Sequence, residues 1–193
     1  HALGPSEGRF LQRRIEGSPG SPIFLARRRE ARLLRTSRQL VGTAWTNAAA
    51  FQYTGSIGPW HLEDAACEEL VRAGRPGASL GIVGLFGIDF VLGRDVRRAW
   101  VIEVNPRYAA SVEIVERASG VKAIEAHATA ASTGNLPAET ADLPAASGVG
   151  QQDDQRASQP LAEDMSSGEA WLCGKAILFA RQDARVPREL VEW

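Results

Sequence analysis

Hydrophobic and polar positions follow strand-like patterns in several short segments of the chain. The clearest pair lies at residues 85–92 and 99–104, which are rich in β-branched and aromatic side chains. Turn-forming residues at 93–95 separate the two segments, so together they predict a β-hairpin. Further strands are predicted at residues 22–26, 33–41, 51–57 and 170–180.

Apolar residues at helical spacing predict three helices. Residues 61–73 carry apolar side chains on one helical face, and Gly74 lies beyond the predicted end. Residues 109–118 are predicted to form a second helix with Gly120 as its C-cap, and residues 121–131 a third. The expected fold class is therefore α+β, with a mainly antiparallel sheet of five to seven strands and helices packed on one face.

The composition changes between residues 132 and 168, where Ala, Ser, Gly, Gln, Asp and Pro replace the large apolar residues. Such a segment cannot form a packed core, so we expect a flexible low-complexity insertion. The flanking ranges 9–131 and 169–193 are predicted to form one domain. Residues 1–8 have neither an initial Met nor a signal peptide, and we expect them to be a truncated N-terminal segment.

Composition narrows the class of protein. The 193 residues, of which 44% are hydrophobic, suffice for one domain with a buried core. A net charge of −1 gives no long-range field that would attract nucleic acid or an anionic membrane. Cys67 and Cys173 have no zinc-type or disulfide-type spacing, so a cytoplasmic location is expected. The sequence contains no run of about 18 apolar residues, so no transmembrane helix is predicted.

Three oxygen-bearing side chains are predicted to converge on the hairpin. If the turn is centred on Val96, Asp89 lies opposite Glu103, and the pleat places Asn105 on the same face. Two facing carboxylates repel unless a cation lies between them, and an all-oxygen set suits Mg²⁺ or Mn²⁺. Arg107 adds a permanent positive charge beside them. The alternative for the two acids alone is a solvent-exposed polar face.

At these residues the sequence resembles the ATP-grasp superfamily of carboxylate-amine ligases. In that superfamily an acidic residue on one strand and Glu-x-Asn on the next bind the metals that bridge the phosphates of ATP. The resemblance is extended by blocks at residues 10–17, 37–42, 51–59, 105–113 and 174–180. It is greatest to predicted ATP-dependent carboligases, a group similar to tyramine-glutamate ligase, and it covers the C-terminal portion of such proteins only.

The resemblance implies a reaction that depends on ATP and on Mg²⁺ or Mn²⁺. A small-molecule carboxylate attacks the γ-phosphate to give an acyl phosphate, and an amine then displaces phosphate to form an amide. In this interpretation Asp89, Glu103 and Asn105 are metal ligands. Arg107 is the catalytic residue, and it holds the substrate carboxylate or the transferred phosphoryl group.

The resemblance also implies nucleotide and substrate contacts outside the hairpin. Gln12, Arg14 and Ile15 would line the adenine. Ser111 and Glu113 are further candidates for contact with substrate, and for Glu113 a solvated helix charge is an equal alternative.

The sequence departs from the superfamily pattern in two places. Gly87 stands where many ATP-grasp enzymes carry an Arg, two residues before the first metal carboxylate. The upstream domain and the subdomain with a phosphate-binding Lys and glycine-rich loop are missing from the 193 residues, so we expect a fragment that binds Mg-ATP weakly and does not turn over.

Two other interpretations remain open. The first is a truncated or degenerate ATP-grasp module that binds nucleotide or a partner without catalysis. The second is a nucleic-acid-binding hairpin that uses the arginines between residues 27 and 38, although an edge hairpin kept soluble by charge explains these arginines more simply. The sequence does not indicate the oligomeric state.

Overall fold

The computed structural model describes residues 12–28, 30–137 and 172–181. The strands are Gly17–Arg27 (β1), Glu30–Val41 (β2), Tyr53–Gly58 (β3), Gly84–Gly93 (β4), Ala99–Asn105 (β5) and Cys173–Ala176 (β6). The helices are Asp64–Ser79 (α1), Val112–Ser119 (α2) and Ala123–Thr133 (α3). The strands form one sheet in the order β5-β4-β1-β2-β3-β6, and every neighbouring pair is antiparallel. The predicted α+β class and antiparallel sheet are confirmed.

The central strand β1 is apolar on both faces because helices cover both faces of the sheet. Ile23 and Leu25 pack against residues of α2 and α3, whereas Phe24 and Ala26 point the other way. The rings of Phe24 and Phe86 stack with centroids 5.0 Å apart. Each such fully buried side chain contributes about 1.5–3 kcal/mol, which explains a continuous apolar run in place of simple alternation.

Helix α1 differs from the prediction in its position and its length. It packs on the Phe24 side of the sheet, so the expectation that the helices share one face holds for α2 and α3 and is wrong for α1. Gly74 does not end the helix, which continues to Ser79. A Cβ at Gly74 would overlap the ring of Phe24, so the missing side chain lets the helix lie close to the sheet.

The end of α3 overlaps the predicted insertion at 132–168. The helix ends at Thr133, and its C-cap Gly134 has a left-handed φ of 70°. The rest of that range beyond residue 137, and the predicted truncated segment 1–8, lie outside the described residues. The division of the chain into domains therefore stays a prediction. Within the described residues no helix is long and apolar enough to cross a membrane.

Candidate metal and nucleotide site

The β4–β5 hairpin contains the predicted pair, although its turn is centred between Asp95 and Val96 and not on Val96. Asp89 lies opposite Glu103, and Gly87 lies opposite Asn105. A β-bulge follows Asp89 and leaves Ile102 as the extra residue on β5. A bulge bends its strand and changes the direction of nearby side chains, so it affects the direction of the Glu103 side chain.

Hydrogen bonds hold the three predicted metal ligands together. The Asn105 Nδ2 atom donates to Asp89 Oδ2 and to Glu103 Oε1, each at 3.1 Å. Arg107 Nη2 donates to Asn105 Oδ1 at 3.3 Å. Gln39 Nε2, from β2, donates to Asp89 Oδ1 at 2.9 Å. The side chains of Asp89, Glu103 and Asn105 are called the acidic triad below.

The acidic triad concentrates negative charge on a half-buried site. Burial raises the pKa of Asp89, the neighbouring Glu103 carboxyl raises it further, and hydrogen bonds from Gln39 and Ser21 oppose the rise. A divalent cation between the carboxylates would relieve this repulsion, so the donor set fits Mg²⁺ or Mn²⁺. Within the described residues, no group of three or more His, Cys, Asp or Glu side chains could hold a metal. The triad has two such residues and an amide.

Gln39 and Ser21 belong to the same polar site, and the sequence analysis did not assign them to it. Ser111 Oγ donates to Ser21 Oγ at 3.4 Å, and Ser37 Oγ donates to the Ser21 carbonyl at 3.3 Å. The available signal was the spacing of Ser37 and Gln39, which puts both on one face of β2. Ser21 and Ser37 are paired on the face that carries Ile23 and Leu25 further along β1, so only this end of the face is polar.

Arg107 lies beside the triad and is exposed to solvent. Besides its bond to Asn105, its Nη1 atom donates to the Tyr108 carbonyl at 3.3 Å. These two contacts place the guanidinium at the carboxylates without neutralising either of them directly. The Arg107 guanidinium can therefore still bind an anionic ligand.

The three predicted adenine contacts lie away from the triad, in the irregular segment before β1; they are Gln12, Arg14 and Ile15. The Arg14 guanidinium lies 5.7 Å from the centre of the Phe51 ring. Gly17 pairs with Gly93, which is four residues along β4 from Asp89. At about 3.4 Å per residue this corresponds to about 14 Å of strand.

An aromatic side chain lies between these two regions. Trp100 pairs with Val91, two residues from Asp89, and therefore shares the face of the triad. The Arg98 guanidinium lies 4.0 Å from the Trp100 ring centre, and that of Arg13 lies 5.9 Å from it. The ring and its two cations form a positively charged aromatic surface.

Solved structures of similar fold include three large enzymes. A biotin carboxylase in complex with β-γ-ATP, from Campylobacter jejuni, has a TM-score of 0.54 and 16% identity over 66% of this chain and 28% of its own. A urea carboxylase from Kluyveromyces lactis has a TM-score of 0.52 and 14% identity over 63% of this chain and 10% of its own. An L-amino acid ligase from Bacillus licheniformis has a TM-score of 0.49 and 21% identity over 61% of this chain and 30% of its own.

These comparisons establish the fold and the family. The chain spans less than a third of each of those three proteins. At their identities of 14% and 16%, the likeness to the urea carboxylase and the biotin carboxylase concerns the fold alone. No curated protein matches the chain significantly. A family model described as an ATP-grasp domain matches residues 3–111, more than half of the 193 residues, and the chain therefore belongs to the ATP-grasp family.

Proposed function

We propose that this chain is the metal- and triphosphate-binding part of an ATP- and Mg²⁺-dependent carboxylate-amine ligase. The observation that carries the proposal is the convergence of Asp89, Glu103 and Asn105 on one face of a hairpin in an ATP-grasp protein. Two carboxylates and an amide supply the oxygen ligands that a hard cation such as Mg²⁺ prefers. They are too few to fill its coordination shell without further ligands. The phosphate oxygens of ATP would complete it.

The proposed metal ligands would present their oxygens after one local change. In the structure Asn105 turns its Nδ2 atom toward both carboxylates. Rotation of this amide would present Oδ1 in its place. A bound Mg²⁺ or Mn²⁺ supplies positive charge to the phosphates and to the charge that grows during phosphoryl transfer.

The nucleotide would extend from the triad along β4. It would run over Val91 and Trp100, with its base at the irregular segment before β1. The arginines Arg98 and Arg13 that flank the Trp100 ring would add positive charge beside the phosphate chain. Gln12, Arg14 and Ile15 remain the proposed adenine contacts.

The proposed reaction has two steps. In the first, a carboxylate oxygen attacks the γ-phosphorus, the bond to the ADP oxygen breaks, and an acyl phosphate forms. In the second, the amine nitrogen attacks the acyl carbon, the bond to phosphate breaks, and the nitrogen loses a proton to solvent. Arg107 would stabilise negative charge in both steps through its guanidinium group.

A non-catalytic nucleotide-binding or interaction module is the second candidate. The observation that favours it is Gly87, which lies opposite Asn105 and brings no positive charge to the triad. In many ATP-grasp enzymes this position carries an Arg that would share the charge of the phosphates. Measuring turnover separates the two candidates.

The test compares the 193-residue chain with the product of the complete reading frame. For the 193-residue chain we expect a dissociation constant for Mg-ATP weaker than micromolar and no ADP. The complete product should form ADP only when a carboxylic acid and an amine are both present, and Arg107→Lys should reduce that rate at least tenfold. Micromolar binding with ADP release by the 193-residue chain would contradict the first expectation. Binding without turnover by the complete product would favour the non-catalytic module.

A further inference from the structure

A cluster of arginines lies at the turn between β1 and β2, and the proposed function does not use it. Arg27, Arg28 and Arg32 lie at this turn or next to it and are called the arginine tip below. The strand order places β1 and β2 in the middle of the sheet, so the expectation of an edge hairpin is wrong. Protection of an exposed sheet edge therefore does not explain these charges.

The arginine tip carries an excess of positive charge. Arg27 Nε lies 2.8 Å from Glu30 Oε2, and Arg32 Nε lies 3.1 Å from Glu30 Oε1. The hydrogen bond from Arg27 is the main cause that lowers the pKa of Glu30, so this carboxylate stays ionised. Arg28 is exposed at the turn. Three guanidinium groups beside one shared carboxylate leave a positive field that attracts further anions.

The negative charge of the chain is concentrated in residues 138–171, called the acidic segment below. The acidic segment contains seven Asp and Glu residues and one Arg, so its net charge is −6. The rest of the chain carries +5, and the whole-chain charge of −1 hides these two opposite parts. Coulomb attraction between them favours contact.

The acidic segment begins beside the arginine tip. Arg27 Nη1 donates to Asn135 Oδ1 at 3.3 Å, just after the end of α3 at Thr133. Leu136 packs against the apolar core that α2 and α3 cover. These contacts fix the point from which the chain continues into the acidic segment. Its first residue is only three positions from a residue that binds the tip.

The acidic segment is long enough to lie on the arginine tip and still reach β6. Gly174 on β6 pairs with Ile57 on β3, and Ile57 pairs with Arg38 on β2. Arg38 is ten residues from Arg28, at most about 34 Å at about 3.4 Å per residue. The 34 residues of the acidic segment can extend to about 110 Å. Most of their length is therefore not needed to connect the two ends.

We propose that the arginine tip binds the acidic segment of the same chain. Carboxylates of the acidic segment would pair with Arg27, Arg28 and Arg32, whose planar guanidinium groups suit bidentate contacts. Each exposed pair contributes little, but a short tether gives an effective concentration in the millimolar range, so several weak pairs suffice. The bound segment would withhold the tip from nucleic acid and other polyanions. The inference is independent of the proposed ligase function.

The test measures the binding of fluorescently labelled decaglutamate to the 193-residue chain by fluorescence anisotropy. The neutralised variant removes four charges of the acidic segment by the substitutions Asp153→Asn, Asp154→Asn, Glu163→Gln and Asp164→Asn. It should bind decaglutamate at least tenfold more tightly than the wild type, because its own segment no longer occupies the tip. Adding Arg28→Gln and Arg32→Gln to this variant should remove most of the gain.

A control variant changes the net charge by the same amount at exposed positions elsewhere. Its substitutions are Glu63→Gln, Glu68→Gln, Asp95→Asn and Glu125→Gln. Its affinity for decaglutamate should differ from that of the wild type by less than threefold. An equal gain in the control variant would show that net charge alone is responsible and would overturn the inference. A neutralised variant that binds decaglutamate no better than the wild type would also overturn it.

NMR signals of the arginine Nε–H groups locate the contact without a competing ligand. Raising the salt concentration to about 1 M shortens the screening length to about 3 Å and should release the acidic segment. The signals of Arg28 and Arg32 should then shift in the wild type and stay in place in the neutralised variant. Arg94 and Arg97 lie at the opposite end of the sheet. Shifts confined to these two residues would place the segment there and contradict the inference.

Discussion

Asp89→Asn is expected to weaken the binding of Mn²⁺-ATP by more than tenfold. The substitution keeps the size of the side chain but removes one of the two charged donors of the triad, and tenfold corresponds to about 1.4 kcal/mol. Isothermal titration of the protein with Mn²⁺-ATP measures the affinity. The matched control is Asp95→Asn in the turn of the same hairpin. The Asp95 carboxylate accepts the exposed Arg97 backbone N–H, and its replacement should not affect binding.

The same substitution should not destabilise the fold at neutral pH. Burial and then Glu103 raise the pKa of Asp89 in the folded protein above its unfolded value. At pH values below the pKa of Asp89 in the unfolded chain, the residue therefore makes its full contribution to the free energy of unfolding. This contribution is lost as the pH rises through the pKa of Asp89 in the folded protein. Asparagine does not ionise, so urea unfolding should show that the variant loses less stability than the wild type as the pH rises between these two pKa values. A variant with wild-type affinity for Mn²⁺-ATP would contradict the assigned role.

Gly84→Ala is expected to lower the free energy of unfolding by about 3 kcal/mol or more. Gly84 has a φ of +85°, and a Cβ there would overlap the His127 imidazole. His127 Nδ1 accepts the Leu85 N–H at 3.0 Å, so its displacement breaks a contact between α3 and β4. The matched control is Gly81→Ala, at a φ of +87° with nothing within 4 Å, which should cost only the backbone strain of about 1–2 kcal/mol.

Urea unfolding of a double variant identifies the cause. If the overlap with His127 dominates, His127→Ala should recover part of the loss caused by Gly84→Ala, so the two changes will not be additive. Equal losses for the alanine variants of Gly84 and Gly81 would show that backbone strain alone is responsible.

The pairing of Asp89 with Glu103 agrees with the prediction, but local determinants alone do not set it. The pairs next to the turn, from Leu92 with Ala99 to Phe90 with Val101, would continue to Asp89 opposite Ile102, and a bulge moves the partner of Asp89 to Glu103. The bulge that leaves Ile102 unpaired could not be predicted, since no Gly or other local signal marks it. The roles of these residues in binding stay predictions.

Other features depend on contacts between distant parts of the chain. Helix α1 passes Gly74 because Phe24, fifty residues earlier, lies against it. Gln39 reaches Asp89 because β1 lies between β2 and β4, an order that the pattern of either strand alone does not contain. The packing of α1 on the sheet face opposite α2 and α3 also depends on contacts between distant parts of the chain.

The most direct test of the metal site is paramagnetic broadening of side-chain amide signals by Mn²⁺ in the presence of ATP. All amides compared have the same chemical type, so only their distance from the ion differs. Substoichiometric Mn²⁺-ATP should broaden the signals of Asn105 and Gln39 first and leave those of the distant Asn47 and Asn135 sharp. Uniform broadening of all four signals, or a sharp Asn105 signal at saturating Mn²⁺-ATP, would contradict the account.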